Sequence, residues 1–437
     1  MLELDDIQSF LVSRAKATAA RYEFLTFRQA DGGRAWLSGL IDKVSSARAD
    51  KTRDADVRWV TVAFTWNGLR ALGVPEASLA TFPEEFRQGM ASRARVLGTT
   101  GANHPDQWVG GLAGPDLHAI VVLFAGDVPE RERCRQEHAG YLARCAGVEV
   151  LSSLDLEMIP GSIYAHDHFG YRDRLSEPAI EGLGFEPVPG SGPPLKAGEF
   201  ILGYPDEEGP PNRLPQPEIL SRNGSYLAYL RLQEHIGVFR EFLAQHGKTP
   251  EEQELVAAKM MGRWRSGAPL VLAPEKDDPE LAKDPQRANN FNYGQMDPYG
   301  YACPLGAHIR RMNPRDTADT NMLRRRMIRR GGTYGPPLPE GASEDGVERG
   351  IAAFVGCASL VRQFEFAMNV WVNDPAFHEL KNERDPFIGT QDGTFDLTIP
   401  KRPIRKKITG LPAFTTVKGG AYFFLPGLKG LRYLAKL

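Results

Sequence analysis

"CPLGAHIRRMNPRD", residues 303–316, sets one imidazole, His308, beside Arg310, Arg311 and Arg315. Two kinds of partner would explain that grouping. A nucleic-acid strand needs guanidinium groups for its phosphates. A dianion that carries a metal needs an imidazole for the metal and arginine forks for its carboxylates. The arginines continue through Arg324, Arg325, Arg326, Arg329 and Arg330, but aromatic side chains for base stacking are lacking from 308 to 330. For any one of these arginines alone, the plain alternative is a solvated charged face.

The rest of the composition argues against a nucleic-acid or membrane protein. Formal net charge is −2, so no field covers the whole molecule to steer it towards either partner. Hydrophobic content of 42% and charged content of 25% are those of an ordinary globular chain. Its 437 residues exceed what one core usually serves, which predicts two domains. Cys134, Cys145, Cys303 and Cys357 are too few and too scattered for a disulfide framework. The first residues, "MLELDDIQSFLVSRAKATAARYEFLTF", show neither a basic region followed by an apolar run nor a twin arginine. The expectation is a cytoplasmic protein with no membrane span.

Outward from the opening stretch, the pattern alternates strands and helices. "VRWVTVAFTW" (57–66) and "LHAIVVLFA" (117–125) read as strands, with "NGLRALGV" a turn into a short helix. "PERERCRQEHAGYLARC", from 129, reads as a helix opened by proline. Residues 182–223 are rich in proline and glycine and read as long ordered loops or a domain junction. Helical periodicity is expected over 225–246, a strand running into an amphipathic helix over 350–372, and a strand at 419–428. This grammar predicts an α+β fold with helices on one face of a sheet.

Most chemical motifs are missing. There is no Walker A loop, no G-x-G-x-x-G after a strand and no G-x-S-x-G elbow. His166 and His168 in "YAHDHFGYRD" would share one side of an extended segment, but Asp167 and Asp173 do not complete a recognised ligand set. Cys303 with His308 is half a zinc site.

"CPLGAHIRRMNPRD" closely resembles the proximal-histidine segment of the dye-decolourising (DyP-type) haem peroxidases. "HFGYRDRLSEPAIEG" (168–182) looks like their distal segment, of pattern Gly-x-x-Asp-Gly, and "RRMIRRGGTYG" (325–335) is similar to the strand that carries their distal arginine. "VAFTWNGLRALGV", "FRQGMASRARVLG", "GRWRSGAPL" and "GGAYFFLP" follow in family order, so the likeness runs nearly end to end. It points to the family's long cytoplasmic type. The family fold implies two ferredoxin-like domains, each an antiparallel sheet with flanking helices, here 1–200 and 201–437, with the haem mainly in the second.

The resemblance also implies roles. His308 would ligate the iron of one haem b per chain, with a carboxylate or carbonyl on its other nitrogen. Asp316, Asp319, Asp392 and Asp396 are all candidates for that acceptor. Asn313 and Arg315 match positions that touch the haem, and Arg310 is a further candidate for its propionates. Asp173 would shuttle a proton between the peroxide oxygens, and Arg329 would stabilise the charge that builds as their bond breaks. The glycine usual after the distal aspartate is Arg174 here, which would reach a propionate or narrow the distal pocket. Trp371 and Tyr334 are candidates for passing electrons from bulky reductants, although aromatics of this kind more often pack in a core.

The expected function is a peroxidase using hydrogen peroxide and small aromatic reductants, dyes or phenols, without nucleic acid and compatible with a homo-oligomer. The rival from another class is a haem carrier or sensor without turnover, which has no need of a distal acid–base pair. Chlorite dismutation or haem modification on a related fold is a second rival, and the distal aspartate favours the peroxidase.

Overall fold

The computed structural model describes the chain apart from residues 49–57, 163, 185–186, 211–213 and 318–321. Its strands are β1 (Ala19–Phe27), β2 (Val60–Phe64), β3 (Ala119–Ala125), β4 (Val148–Glu157), β5 (Ser225–Glu234), β6 (Ile328–Tyr334), β7 (Gly350–Cys357), β8 (Asp396–Ile399), β9 (Lys406–Thr409) and β10 (Thr415–Leu425). β8 and β9 form a separate ladder. The other eight make one antiparallel sheet in the order β4-β1-β3-β2-β10-β5-β7-β6. Within β1–β4 the order is fourth, first, third, second, and the set β5, β6, β7, β10 repeats it. The two sets join where β2 meets β10, Phe64 opposite Phe424. One sheet per half was the expectation. Joining them pairs two edges that would otherwise stand open to other chains.

Residues 225–234 explain a misreading. Tyr226, Ala228 and Leu230 enter one apolar layer, while Leu227 and Tyr229 enter the other. That period of two marks a strand buried on both faces. The helix expected over 225–246 is therefore β5 followed by a helix at Ile236–His246 only. With both faces buried the strand has no polar side, and the alternation that would announce it is erased. The other elements fall near their expected places. A helix spans Val128–Leu142, and the described part of 57–66 contains β2. After β7 the chain continues as two wide-turned π-helical pieces, Leu360–Glu365 and Ala367–Asn373.

Helices cover one face, through Trp36, Leu37, Leu69 and Leu431. The other face is covered largely by non-helical chain, including Leu183, Leu195, Phe200 and Ile201 from the proline- and glycine-rich stretch. The described part of that stretch is an ordered cover because it buries apolar side chains, each worth about 1.5–3 kcal/mol when fully removed from water. Aromatic contacts cross between the two strand sets, with Tyr229 at 5.2 Å from Phe24 and Phe354 at 5.4 Å from Tyr22. Among the described residues, no helix is long and apolar enough to cross a membrane.

Candidate active site

His308 opens a single helical turn, His308–Met312, after the "CPLGA" approach. Its side chain keeps 18% of its exposure, and its Nδ1 lies 2.8 Å from Asp385 Oδ2, in a carboxylate that is fully buried. Asp385 uses its other oxygen to accept from the backbone N–H groups of Phe387 (2.9 Å) and Ile388 (3.0 Å). Burial pushes this carboxyl up, but the His308 imidazole, the Ile388 N–H and the Arg311 guanidinium outweigh it, so it is held below the usual carboxylate range. The imidazole therefore presents its Nδ1 proton to an anion and leaves Nε2 without a hydrogen bond among the described residues, a bare lone pair for a metal.

Asp385 takes the place of the three described acceptors expected from sequence. Asp316 accepts from Gly294 N–H, Asp392 from Thr394, and Asp396 pairs with Lys407, while Asp319 lies outside the described residues. A Cβ at Gly306 would crowd Glu383 Oε2 at 2.8 Å. Arg311 ties the same corner together through the carbonyls of Trp371, Asp374 and Glu383. Arg310 serves the fold instead of projecting to a ligand. It is fully buried, paired with Asp297 at 3.2 Å, bonded to the Cys303 carbonyl and stacked on Tyr293.

Asp173 stands at the base of a hairpin. Its N–H donates to Ala165 O at 2.8 Å, His166 bridges Arg172, and Asp167 closes the tip on Tyr171. The Phe387 ring links this hairpin to the imidazole, 5.8 Å from Tyr171 and 6.0 Å from His308. The Asp173 side chain is exposed and makes no hydrogen bond among the described residues. Arg174 has φ +63°, a left-handed conformation that costs any residue with a Cβ. The family's glycine at this position thus has a local reason. Crowding by its surroundings and by Arg14 lowers the Arg174 pKa, against the charges of Asp173 and Glu177.

β6 alternates, so neighbouring arginines part company. Arg330 turns inward to the carbonyls of Phe10, Leu11 and Ser13 and to Glu177. Arg329 is exposed and donates to Ser176 O at 3.2 Å, three residues beyond Asp173. It also belongs to a knot of cations. Burial first, then Arg315 and Arg329, push Arg326 down to about 10, and the same two neighbours act on buried Arg263, also about 10. Arg315, at φ +58°, lies 3.7 Å over the Phe291 ring and donates to three carbonyls, of Gly190, Asn289 and Phe291. Among the described residues no carboxylate pairs with Arg263 or Arg326, so the knot favours an anion from outside the chain. Asn313 ends the His308 turn, half-buried. Sequence reading missed Arg263 and Arg326 as well as Asp385. Both arginines lay inside quoted blocks, "GRWRSGAPL" and "RRMIRRGGTYG". Asp385 carried only the turn signal of an Asp-Pro pair.

The donor set fits a haem: one imidazole with a bare nitrogen, and arginines without internal counter-charge for two propionates. Among the described residues no three His, Cys, Asp or Glu side chains gather to hold a metal ion, and a porphyrin iron asks the protein for only one such ligand. His166 Nδ1 and His168 Nε2 are engaged with the carbonyls of Tyr164 and Tyr334. Trp371 and Tyr334 are both buried, Trp371 against Phe366 and Tyr334 hydrogen-bonded to Glu348.

No family model matches the chain. It is 30% identical to a dye-decolorizing peroxidase of Mycena epipterygia, over 99% of this chain and 87% of that protein. Peroxidase 2 of Mycetinis scorodonius is likewise 30% identical with the same coverage. Among solved structures, an ancestral D-type dye-decolorizing peroxidase superposes with TM-score 0.87 at 27% identity, covering 99% of this chain and 98% of that one. A dye-decolorizing peroxidase in complex with 2,6-dimethoxyphenol superposes with TM-score 0.87 at 25% identity over the whole of both chains.

Proposed function

The chain belongs to the dye-decolorizing peroxidase family, haem enzymes that use hydrogen peroxide to oxidise dyes and phenols, and from that premise we propose how its own residues divide the work. His308 ligates the iron of one haem b per chain, oriented and made more basic by Asp385. Arg315, Arg263 and Arg326 receive the propionates, with Asn313 alongside. The observation that carries this reading is the His308–Asp385 hydrogen bond, which leaves the opposite ring nitrogen free. The split into ferredoxin-like units 1–200 and 201–437, with the haem mainly in the second, is supported by the repeated strand order and by where these side chains originate. Cytoplasmic residence is supported by four unpaired cysteines.

When bound, the haem supplies the redox-active iron that accepts oxidising equivalents from peroxide and passes them to reductants one electron at a time. The protein handles protons and charge. Asp173 takes the proton from one peroxide oxygen and delivers it to the oxygen that leaves, a role typically worth about a hundred- to ten-thousand-fold in rate. Arg329, whose fork is engaged among the described residues only at Ser176 O, meets the negative charge that grows on the separating oxygens. Arg174 narrows the space beside Asp173. The test is an absorption spectrum of the haem-loaded protein, before and after peroxide. His308→Ala should lose most bound haem or shift the main haem band strongly while the chain stays folded. Full occupancy with an unchanged spectrum would remove the ligation, and a parent spectrum indifferent to peroxide would put the carrier reading ahead.

A further inference from the structure

The loop 297–303, which leads into the His308 turn, carries two aromatic rings that the reaction above does not use. Tyr299 and Tyr301 keep 70% and 42% of their exposure. The backbone beneath them is nonetheless held firmly. Asp297, itself buried, accepts from Ala302 N–H at 3.1 Å and from Cys303 N–H at 2.8 Å, and pairs with Arg310. Its carbonyl accepts from Gly300 N–H. Lys259, also buried, donates to the carbonyls of Tyr301 and Ala302. Buried charges on both sides thus fix a short loop whose tyrosine rings face water. The rings meet at centroids 6.3 Å apart with their planes at 65°. Rings set at such an angle offer a third ring a face and an edge at once.

The turn between β8 and β9 brings a cation to the same place. Arg402 has its Cζ 5.3 Å from the Tyr301 ring centroid, and its Nε donates to the Tyr301 hydroxyl at 3.3 Å. The rest of its fork is unengaged among the described residues. Lys401 and Arg405 lie in the same exposed turn. Among the described residues no carboxylate pairs with any of these three, whereas Lys407 on β9 is neutralised by Asp396. Ile404, 78% exposed, adds an aliphatic side chain to the turn. We propose that Tyr299, Tyr301 and Arg402 form a docking site for anionic aromatic molecules, the sulfonated or carboxylated phenols and dyes, with the ligand ring on the tyrosines and its anion on the open fork of Arg402. Cations alone would suit any polyanion, and rings alone any phenol. Two rings 6.3 Å apart span one small aromatic molecule, not a length of polymer. The purpose of the site rests on the peroxidase reading. A docked phenol yields one electron to the oxidised haem and its hydroxyl proton to water, and leaves as a phenoxyl radical.

The test uses haem-loaded protein and two probes, syringate and syringol, the same phenol with and without a carboxylate. Titration by saturation-transfer NMR, without peroxide, reads binding. The parent should bind syringate more tightly than syringol, and added salt should shrink the difference. Arg402→Gln should weaken syringate about two- to fivefold, the range of one exposed charge pair, and change syringol far less. Tyr299→Ser combined with Tyr301→Ser should weaken both probes. With peroxide present, KM for syringate should rise in Arg402→Gln by the same factor, while the haem reacts with peroxide at the parent rate. Equal parent affinity for the two probes, displacement of syringate by polyphosphate at low concentration, or variants that bind like the parent would overturn the site. Weakened binding with an unchanged KM would overturn its part in the reaction. A parent that binds syringate but oxidises neither probe would overturn the peroxidase reading and the site's purpose with it, while the binding titrations still decide the site.

Discussion

Replacing Asp385 by asparagine changes one atom of the site, and its consequence follows from three hydrogen bonds. The oxygen that accepts from Phe387 and Ile388 N–H must stay an oxygen, because an amide nitrogen there would face two donors. The amide NH2 is then turned to His308 Nδ1, where the carboxylate stood at 2.8 Å. An NH2 donates, so Nδ1 must accept and the ring proton moves to Nε2, the nitrogen the metal needs. The loss includes a charge-assisted hydrogen bond, worth about 1.5–3 kcal/mol. At about 1.4 kcal/mol per tenfold, haem affinity should fall on the order of ten- to a hundredfold. The assay is haem titration followed by absorbance, with haem-free stability measured against pH as a second readout. Asp385 titrates lower in the folded chain than in the unfolded one, so its contribution is whole above the ordinary carboxylate range and drains away as pH falls through its lowered folded value. Asp385→Asn should lose that acid-side slope. Parental affinity together with an unshifted haem spectrum would refute the reasoning.

Two further predictions concern the other face. Asp173→Asn should slow the peroxide reaction about a hundred- to ten-thousand-fold and change its pH profile, whereas Arg329→Leu should slow the reaction and keep its pH profile. Stopped-flow traces across pH distinguish the two, and parental rates and profiles in both variants would sink the assignment. Arg174→Gly should relieve a left-handed conformation that costs about 1–2 kcal/mol with a side chain, less the roughly 0.5–1 kcal/mol that glycine's freer unfolded chain takes back. Denaturant unfolding should show a net gain of about half a kcal/mol, and a clear loss would mean that the charges of Asp173 and Glu177 around Arg174 outweigh the strain.

The legible parts of the sequence were those where one local pattern answers to one local cause. β3 is a short β-branched run, and the helix Val128–Leu142 begins with proline after the Asp127 cap. β5 was illegible for the opposite reason, since burial on both faces removed its polar side. The strand order in the two sets was implied by the family likeness, but nothing in the residues announces that β2 and β10 would meet.

The same contrast divides the site. His308, Asp173 and Arg329 sit in compact motifs whose residue types state their chemistry. Asp385 is 77 residues from the imidazole it serves, and the sequence marks it only as a turn former. Its function is created by burial: the fold removes water from the carboxyl, supplies two N–H groups to one oxygen, and leaves the other oxygen a single partner. The arginines reverse that logic. Arg310, Arg315, Arg326, Arg329 and Arg330 look interchangeable in the sequence, and the structure sorts them by what surrounds each one. Asp297 neutralises Arg310 and Glu177 pairs with Arg330, whereas Arg326 has no carboxylate partner among the described residues and is crowded by Arg315 and Arg329. A cation with an internal partner belongs to the fold. Cations held together without enough carboxylates store repulsion that only an anion from outside relieves, and a haem with two propionates is such an anion. The knot around Arg326 is therefore the part of the site that most needs its ligand.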